Sequence, residues 1–352
     1  MQKRDKILIL AAAIITAIAG YGTFAGFNSV ALFVVAAGAL VLVAMIVGQA
    51  TEQLGNKMGP AATGVLQSAL GNLPELFVCI FALRAGLDTV VKAALVGSIL
   101  GNSVFVFGMA ILFGGLKNGR QYFHSEAPKM NAVLMILAFA AMAVPSLAFY
   151  LHTPAEPNLD TLDVIVAVVL LLVFSAYLTF SIKGDKSVVP SREEEEEGVS
   201  WSMPVTLGIL AASGVAAAFV SDWFVQALTP AMDTLGINDV FAGLIIVALA
   251  GNAIENLVGI QLALKNKADY AVSVIMNSSL QIALVIYPLL ILLSFFLGGA
   301  ILSFVLSPLL LAALALSVLV SAFIVFDGES IWLEGVALIG LYIIIATAFW
   351  WG

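Results

Sequence analysis

Two short segments of the 352-residue chain place the same polar residues inside long apolar stretches. The first is Gly71-Asn72-Leu73-Pro74-Glu75, and the second, in the other half of the chain, is Gly251-Asn252-Ala253-Ile254-Glu255. Carboxylate and amide oxygens are hard ligands, and Ca²⁺ accepts about 6–8 of them in flexible geometry. Zn²⁺ or Cu⁺ would favour His or Cys, whereas Mg²⁺ and Mn²⁺ stay open as alternatives. We therefore predict a divalent-cation site whose ligands are Glu75, Glu255, Asn72 and Asn252.

Both glutamates lie a little past the middle of an apolar stretch. An ionised carboxylate there costs at least about 2.5–3.5 kcal/mol, so such residues usually face a cavity or a partner. Gly71, Pro74 and Gly251 are expected to weaken their helices and to free backbone carbonyls beside the carboxylates. The alternative is that the glutamates only hold helices together. A structural carboxylate would then need a basic partner, and no Lys or Arg lies mid-span.

Further polar side chains follow the two glutamates. Ser98 and Asn102 are four residues apart and so share one helix face, as do Asn277 and Gln281 in the second half. Such neutral groups can complete a coordination shell or hydrogen-bond the carboxylates. The predicted supporting polar residues are Ser98, Asn102, Asn256, Asn277, Ser278 and Gln281.

Seven other acids are weaker candidates. Glu52 and Asp222 occupy comparable places in the two halves, at the end of the second apolar stretch and just beyond the seventh. They are either vestibule acids that attract cations or relay protons, or acids solvated at the membrane interface. A run of five acids is either a regulatory segment that gathers Ca²⁺ or a solvated linker, the commoner meaning of a charge run. It consists of Glu193, Glu194, Glu195, Glu196 and Glu197.

The composition requires that helices in a lipid bilayer position these residues. Hydrophobic residues make up 62% of the chain and charged residues 10%, and the mean hydropathy is +1.11. A soluble domain averages about 45–50% apolar and about 25% charged residues. The sequence also lacks the basic patches of a nucleic-acid binder, and one cysteine rules out a disulfide framework. We expect an all-α polytopic membrane protein that is not an enzyme and needs no cofactor.

Hydropathy predicts eleven transmembrane helices, each long enough to cross a hydrocarbon core of about 30 Å. Continuous apolarity without alternation argues against a β-barrel. The predicted spans are Ile7–Phe24, Val30–Val47, Ala61–Leu83, Val90–Phe113, Met130–Tyr150, Leu162–Ile182, Met203–Val220, Val240–Leu264, Tyr270–Leu297, Phe304–Phe326 and Trp332–Trp350.

The internal repeat that relates the two glutamate segments divides these spans into one extra helix and two sets of five. Because five is odd, the two sets must enter the membrane from opposite sides, which is the inverted-topology repeat of many secondary transporters. The predicted domains are an N-terminal extra helix over 1–27, a first repeat over 28–183, an acidic cytoplasmic linker over 184–200 and a second repeat over 201–352.

The basic residues predict the orientation. With the N-terminus in the cytoplasm, all of the 14 Lys and Arg residues except Arg84 and Lys92 fall at inner ends of the spans. The C-terminus then lies outside, and the short N-terminus favours a cell (plasma) membrane. The sequence leaves the oligomeric state open.

The two glutamate segments resemble the paired signature repeats of the calcium/cation antiporter superfamily, specifically its proton/calcium exchanger branch. Segments 97–102 and 278–283 resemble the companion motifs of that branch, and 327–335 is similar to the hairpin between its last two helices. The acidic run after the sixth span is also similar to a feature of that branch. Sodium-coupled relatives typically carry Gly-Thr-Ser or Gly-Asn-Ser ahead of the glutamate, which this chain lacks. The branch usually has His after the second glutamate, where this chain has Asn256.

The resemblance implies a secondary active antiporter that exchanges Ca²⁺ for H⁺ by alternating access. We expect Ca²⁺ and protons to compete for Glu75 and Glu255, because two close carboxylates without an ion repel each other and lose hydration. By charge, about two protons would exchange per Ca²⁺. The alternatives are a Na⁺/Ca²⁺ antiporter and a passive cation channel, which also uses acidic rings.

Overall fold

The computed structural model describes residues 3–58, 70–124, 126–183 and 201–351. These residues are helical apart from their connecting loops and one two-stranded sheet. The first six helices are α1 Lys3–Ala25, α2 Ser29–Met58, α3 Leu73–Arg84, α4 Asp88–Asn118, α5 Glu126–Tyr150 and α6 Leu159–Lys183. The next six are α7 Met203–Leu235, α8 Asp239–Gly251, α9 Ala253–Leu264, α10 Ala268–Leu297, α11 Pro308–Phe326 and α12 Trp332–Trp350.

Within the described ranges, nine helices are long and apolar enough to cross a membrane, or up to ten if one bent pair is a single span. The bent pair is α8 and the part of α9 from Asn256 onward, and its axis changes direction by 61°. The predicted third span overlaps residues 59–69, which lie outside the described residues. The predicted count of eleven spans therefore stays a prediction.

The internal repeat of the sequence is also a repeat of local structure. The two glutamate segments are separated by a fixed number of residues along the chain. The same separation relates both ends of α3 to both ends of α9, and the start of α4 to the start of α10. Both α4 and α10 contain a π-helical turn, over Gly101–Val106 in the former and over Ile282–Ile286 in the latter. The repeated motifs therefore code for the same local sequence of break, helix and π-turn.

By its internal contacts the chain forms two compact units. Unit 1 contains Met1–Gly86, Ser191–Asn238 and Ala250–Ile254, and unit 2 contains Leu87–Pro190, Asp239–Leu249 and Glu255–Gly352.

In unit 1, α1, α2 and α7 pack through aromatic rings and small residues. The rings of Phe33 on α2 and Phe224 on α7 stack with centroids 5.0 Å apart. Gly20 on α1 leaves room for the indole of Trp223, which a Cβ on this glycine would meet at 2.7 Å. Both α2 and α7 continue beyond the predicted span ends at Val47 and Val220.

In unit 2, α4 and α8 lie in backbone contact, because Gly97 and Gly243 have no side chain to hold them apart. Two short strands, β1 (Gln121–Tyr122) and β2 (Glu329–Ser330), lie in two different loops and pair in antiparallel orientation. The segment that resembles a hairpin between the last two helices therefore pairs with the loop after α4.

The tenth span was predicted to start at Phe304, and this start is wrong. α11 begins at Pro308, where Ser307 caps the helix by accepting a hydrogen bond from the N–H of Leu310. Phe304 instead lies in the loop between α10 and α11, and its side chain is fully buried.

Candidate cation site

Each Gly-Asn-x-x-Glu segment forms a break between two helices. In the first, Gly71 and Asn72 form a turn, and α3 then begins at Leu73 with Pro74 in its first turn, where a missing N–H costs nothing. In the second, Asn252 separates α8 from α9. Both glutamates are consequently the third residue of the helix that follows the break.

Glu75 is buried in unit 1, with 8% of its surface exposed, and Asn72 beside it is also buried. Its side chain packs directly against the second segment. A Cβ on Gly251 would lie 2.6 Å from Cγ and 2.9 Å from Oε1 of Glu75. Asn252, next to this glycine, is buried as well. The structure therefore brings Glu75, Asn72 and the Gly251-Asn252 turn into one unit.

Ser221 on α7 supports the first break from the side. This fully buried residue donates a hydrogen bond of 3.4 Å from Oγ to the carbonyl oxygen of Pro74. The backbone before Glu75 is thus held by a neighbouring helix close to the point where its own helix begins. The side chain of Glu255 lies outside the described residues, so its position as a ligand stays a prediction.

The supporting polar residues belong to unit 2, where the structure joins some of them. The amide Nδ2 of Asn102 on α4 donates a hydrogen bond of 2.9 Å to Oγ of Ser278 on α10. Ser98 and Gln281 are buried on the same two helices. Polar residues of the two repeats therefore meet across one pair of helices.

Asn277 is held by a tyrosine that lies outside the predicted set of polar residues. The hydroxyl of Tyr177 on α6 lies 3.3 Å from Oδ1 of Asn277 and 3.0 Å from Oδ1 of Asn131. The single hydroxyl proton of Tyr177 can be donated fully to only one of these two oxygens. One of the two amides is therefore expected to be turned so that its NH₂ group faces the hydroxyl oxygen. A polar chain thus ties Asn277 to α5 and α6.

Asn256 has a buried Oδ1 that accepts no hydrogen bond from the described residues. An unsatisfied buried oxygen costs free energy unless a ligand or water fills its place. This residue follows directly on Glu255 in the chain, at the position where the sequence resemblance leads us to expect a histidine.

The weaker candidates have different surroundings. Glu52 lies within α2 and is half-buried. Asp222 is not beyond the seventh span as predicted, because it lies in the interior of α7, where its Oδ2 accepts a hydrogen bond of 2.7 Å from Gln226. The acidic run 193–197 lies outside the described residues.

Three further buried polar groups were not predicted. On α2, Oε1 of Gln49 and Oγ1 of Thr51 are buried and have no hydrogen-bond partner in the described part of the chain. On α6, Asp163 is a buried acid. An acid or amide inside an apolar stretch is itself a usable signal. At Asp163 this signal is weak, because the residue is next to the predicted start of the sixth span.

In the residues that the structure describes, no three His, Cys, Asp or Glu side chains lie close enough to hold a metal ion. A cation site built only from these described residues would need amide, hydroxyl or backbone oxygens in addition to carboxylates. Ca²⁺ accepts such mixed oxygen shells, whereas structural Zn²⁺ sites do not.

Comparison with known proteins gives concordant matches. The Sodium/calcium exchanger protein family matches residues 28–183 and 205–351. The chain is 36% identical to a Ca²⁺/H⁺ antiporter of Aphanothece halophytica, over 93% of this chain and 92% of that protein. It is 34% identical to the Ca²⁺/H⁺ antiporter ChaA of Bacillus subtilis, over 93% of this chain and 94% of that protein.

Among solved structures, the chain is similar to native YfkE, with a TM-score of 0.84 and 30% identity over 98% of this chain and 100% of that one. The prediction of an all-α polytopic membrane protein is thereby confirmed.

Proposed function

Because this chain belongs to the sodium/calcium exchanger protein family, we propose that it is a secondary active antiporter that exchanges Ca²⁺ for H⁺ across a membrane. The observation that carries the proposal is its similarity, over nearly the whole chain, to relatives that are named Ca²⁺/H⁺ antiporters. Neither of these relatives is named as a Na⁺-coupled exchanger. The two transported ions are its substrates, and the family consists of transporters rather than enzymes.

We propose that Glu75, Glu255, Asn72 and Asn252 bind the transported Ca²⁺. The support is that both glutamates lie in the first turn of a helix that follows the same kind of break, and that Glu75 is buried against the backbone of the second segment. A buried carboxylate is costly when it is ionised and alone. Binding a divalent cation would remove that cost, and so would binding protons.

Competition for the same oxygens then couples the two ions. With Ca²⁺ bound, both glutamates are ionised and their charges balance the ion. With Ca²⁺ released, protons neutralise the carboxylates, so a charged empty site never crosses the membrane. Alternating access would expose this site to one side at a time.

The remaining polar residues have supporting roles in this proposal. The Asn102–Ser278 hydrogen bond would fix the spacing of α4 and α10, and Oδ1 of Asn256 would be available to the ion or to a water molecule. Glu52 and Asp222 would attract cations to unit 1. The run 193–197 would act as a solvated linker.

The orientation we propose has the N-terminus in the cytoplasm of a plasma-membrane protein and the C-terminus outside. His124 and His152 lie in the loops before and after α5 and expose 91% and 79% of their side chains. A membrane-impermeant thiol reagent applied to intact cells should label His152→Cys and not His124→Cys. The reverse labelling would overturn this orientation.

Ca²⁺ uptake into vesicles with an imposed pH gradient tests the function and the site together. The purified chain should accumulate Ca²⁺ when a pH gradient is present and not when a Na⁺ gradient or a voltage alone is imposed. Glu75→Gln and Glu255→Gln keep the size of the side chain but cannot be ionised, so each should abolish uptake. Glu126→Gln, at an exposed acid at the start of α5, is the matched control and should transport normally.

The outcomes separate the two parts of the proposal. Uptake driven by Na⁺, or by voltage without counter-transport, would overturn Ca²⁺/H⁺ exchange itself. Near-normal uptake by both glutamine variants would leave the exchange intact and overturn the assignment of the two glutamates.

A further inference from the structure

Asp163 is a buried acid for which the two-glutamate mechanism has no use. It lies on the second turn of α6, inside a helix long and apolar enough to span the membrane, and exposes 2% of its surface. One of its oxygens, Oδ1, has no hydrogen-bond partner in the described part of the chain. Ionisable residues inside membrane spans are expensive and usually functional.

The surroundings of Asp163 are rigid. The backbone N–H of Phe304, in the loop between α10 and α11, lies close enough to the carboxyl group of Asp163 to stabilise its charged form. Ser146 Oγ holds the same loop by donating to the carbonyl of Phe304 at 2.8 Å and by accepting from the N–H of Leu306 at 3.0 Å. Tyr287 donates a hydrogen bond of 2.9 Å to the carbonyl of Ser303. Asp163 therefore lies against a loop that several hydrogen bonds hold in place.

A series of charged groups leads from Asp163 to water. Asp88 and Lys92 on α4 form an ion pair of 3.6 Å, with 38% and 17% of their side chains exposed. Lys92 acts electrostatically on Asp163, so the series runs from an exposed acid through a partly exposed base to a buried acid. The other ionisable groups that face Asp163 are Asp160 on its own helix and the fully buried Tyr287 on α10.

Opposing influences keep both forms of Asp163 accessible. Lys92 and the N–H of Phe304 stabilise the carboxylate, whereas burial and the unsatisfied Oδ1 favour the neutral acid. Each protonation state of Asp163 therefore has a feature of the structure that stabilises it.

We propose that Asp163 is a second proton-binding site of this protein, in exchange with water at the end of unit 2 where Lys92 and Asp88 reach the surface. A proton from water binds at Oδ1 and converts the carboxylate to the acid, and it leaves by the same route. The inference rests on the proposed exchange of H⁺, because a proton site matters to transport only if protons are transported. In the proposed orientation this end faces the outside.

The pH dependence of Ca²⁺ uptake tests this site. Asp163→Asn keeps the size of the side chain and an oxygen that can face the N–H of Phe304, but it cannot bind a proton, so a purely structural role would survive the substitution. We expect the pH of half-maximal uptake to change by about one unit, with an unchanged half-saturating Ca²⁺ concentration. Glu126→Gln removes one negative charge from an exposed position at the start of α5 and should leave the pH profile unaltered.

A second variant reads the same site without altering Asp163. Lys92→Gln removes the charge that favours the carboxylate, so the acid should keep its proton to a higher pH. Infrared spectra of protein labelled with ¹³C-aspartate should show a carboxylic acid band that titrates, and Lys92→Gln should move its midpoint to higher pH.

A wild-type pH profile in Asp163→Asn, or an aspartic acid band that Lys92→Gln does not move, would overturn the site. Absence of pH-driven uptake by the wild-type chain would instead overturn the proposed function.

Discussion

Two glycines allow close approaches in different regions of the molecule, and what each of them faces is different. In unit 2, Gly97 on α4 faces the backbone of Leu244 on α8, and a Cβ on Gly97 would lie 2.6 Å from Cα of Leu244. In unit 1, Gly251 faces the side chain of Glu75. Packed helix backbones cannot give way to a methyl group, whereas a glutamate side chain can rotate. The same residue type therefore protects the fold in one region and the position of a proposed ligand in the other.

The largest effect is expected from Gly97→Ala. The added methyl group would collide with the carbonyl oxygen of Leu244 and force α4 and α8 apart. Overpacking of this kind costs about 1–3 kcal/mol of stability, and more where the backbone has to move. Thermal unfolding in detergent, with the fraction of monodisperse protein, measures the loss.

Gly101→Ala is the control for that substitution. Gly101 lies one turn further along the same helix, and a Cβ there would meet nothing within 4 Å. Equal stability of the two variants would show that the close contact of α4 with α8 is not what Gly97 provides.

A smaller effect on stability and a clear effect on transport are expected from Gly251→Ala. The methyl group would displace the carboxylate of Glu75 rather than the backbone, so the unfolding temperature should stay close to that of the wild type. Misplacing a reactive group by about 1 Å can cost up to about a hundredfold in rate, and we expect Ca²⁺ uptake to fall by about tenfold or more.

Gly214→Ala, at an open position on α7 of the same unit, should leave both quantities unchanged. Full transport by Gly251→Ala would mean that the observed position of Glu75 is not needed, and the contrast between the two glycines would then disappear.

The two buried acids show a second contrast. Glu75 has a counterpart in Glu255, because it belongs to the repeated segment. At the same offset along the chain, the positions that correspond to Asp163, Lys92 and Asp88 are occupied by apolar residues. They are Ile343, Val272 and Ala268, and Ile343 exposes 57% of its surface. The repeat therefore explains the proposed cation ligands, whereas the proposed proton site belongs to one half alone.

Much of the architecture could be predicted from the sequence, because apolar length and the spacing of rare polar residues depend only on the chain. The break at each Gly-Asn-x-x-Glu segment was expected from Gly71, Pro74 and Gly251. The ends of α2, α7 and α11 were not predicted, because hydropathy does not record where a helix continues beyond the lipid or where an apolar loop is buried.

The proposed site could be predicted only in part. Residue types and symmetry selected Glu75 and its neighbours without knowledge of any contact. The helix ends at Gly251 as expected, and the structure adds that Glu75 packs against this glycine. Tyr177 and Asp163 were missed because their significance depends on partners far away in the chain, Asn277 and Phe304.

The sequence by itself determined that this is a membrane protein of two repeated halves with an acid in each, because hydrophobicity and repetition are properties of the chain. Only the tertiary structure decided that Glu75 packs against Gly251, which amide meets Ser278 and which acid is buried near Lys92. Burial and hydrogen bonding depend on residues that are distant in sequence, and packing alone brings those residues together.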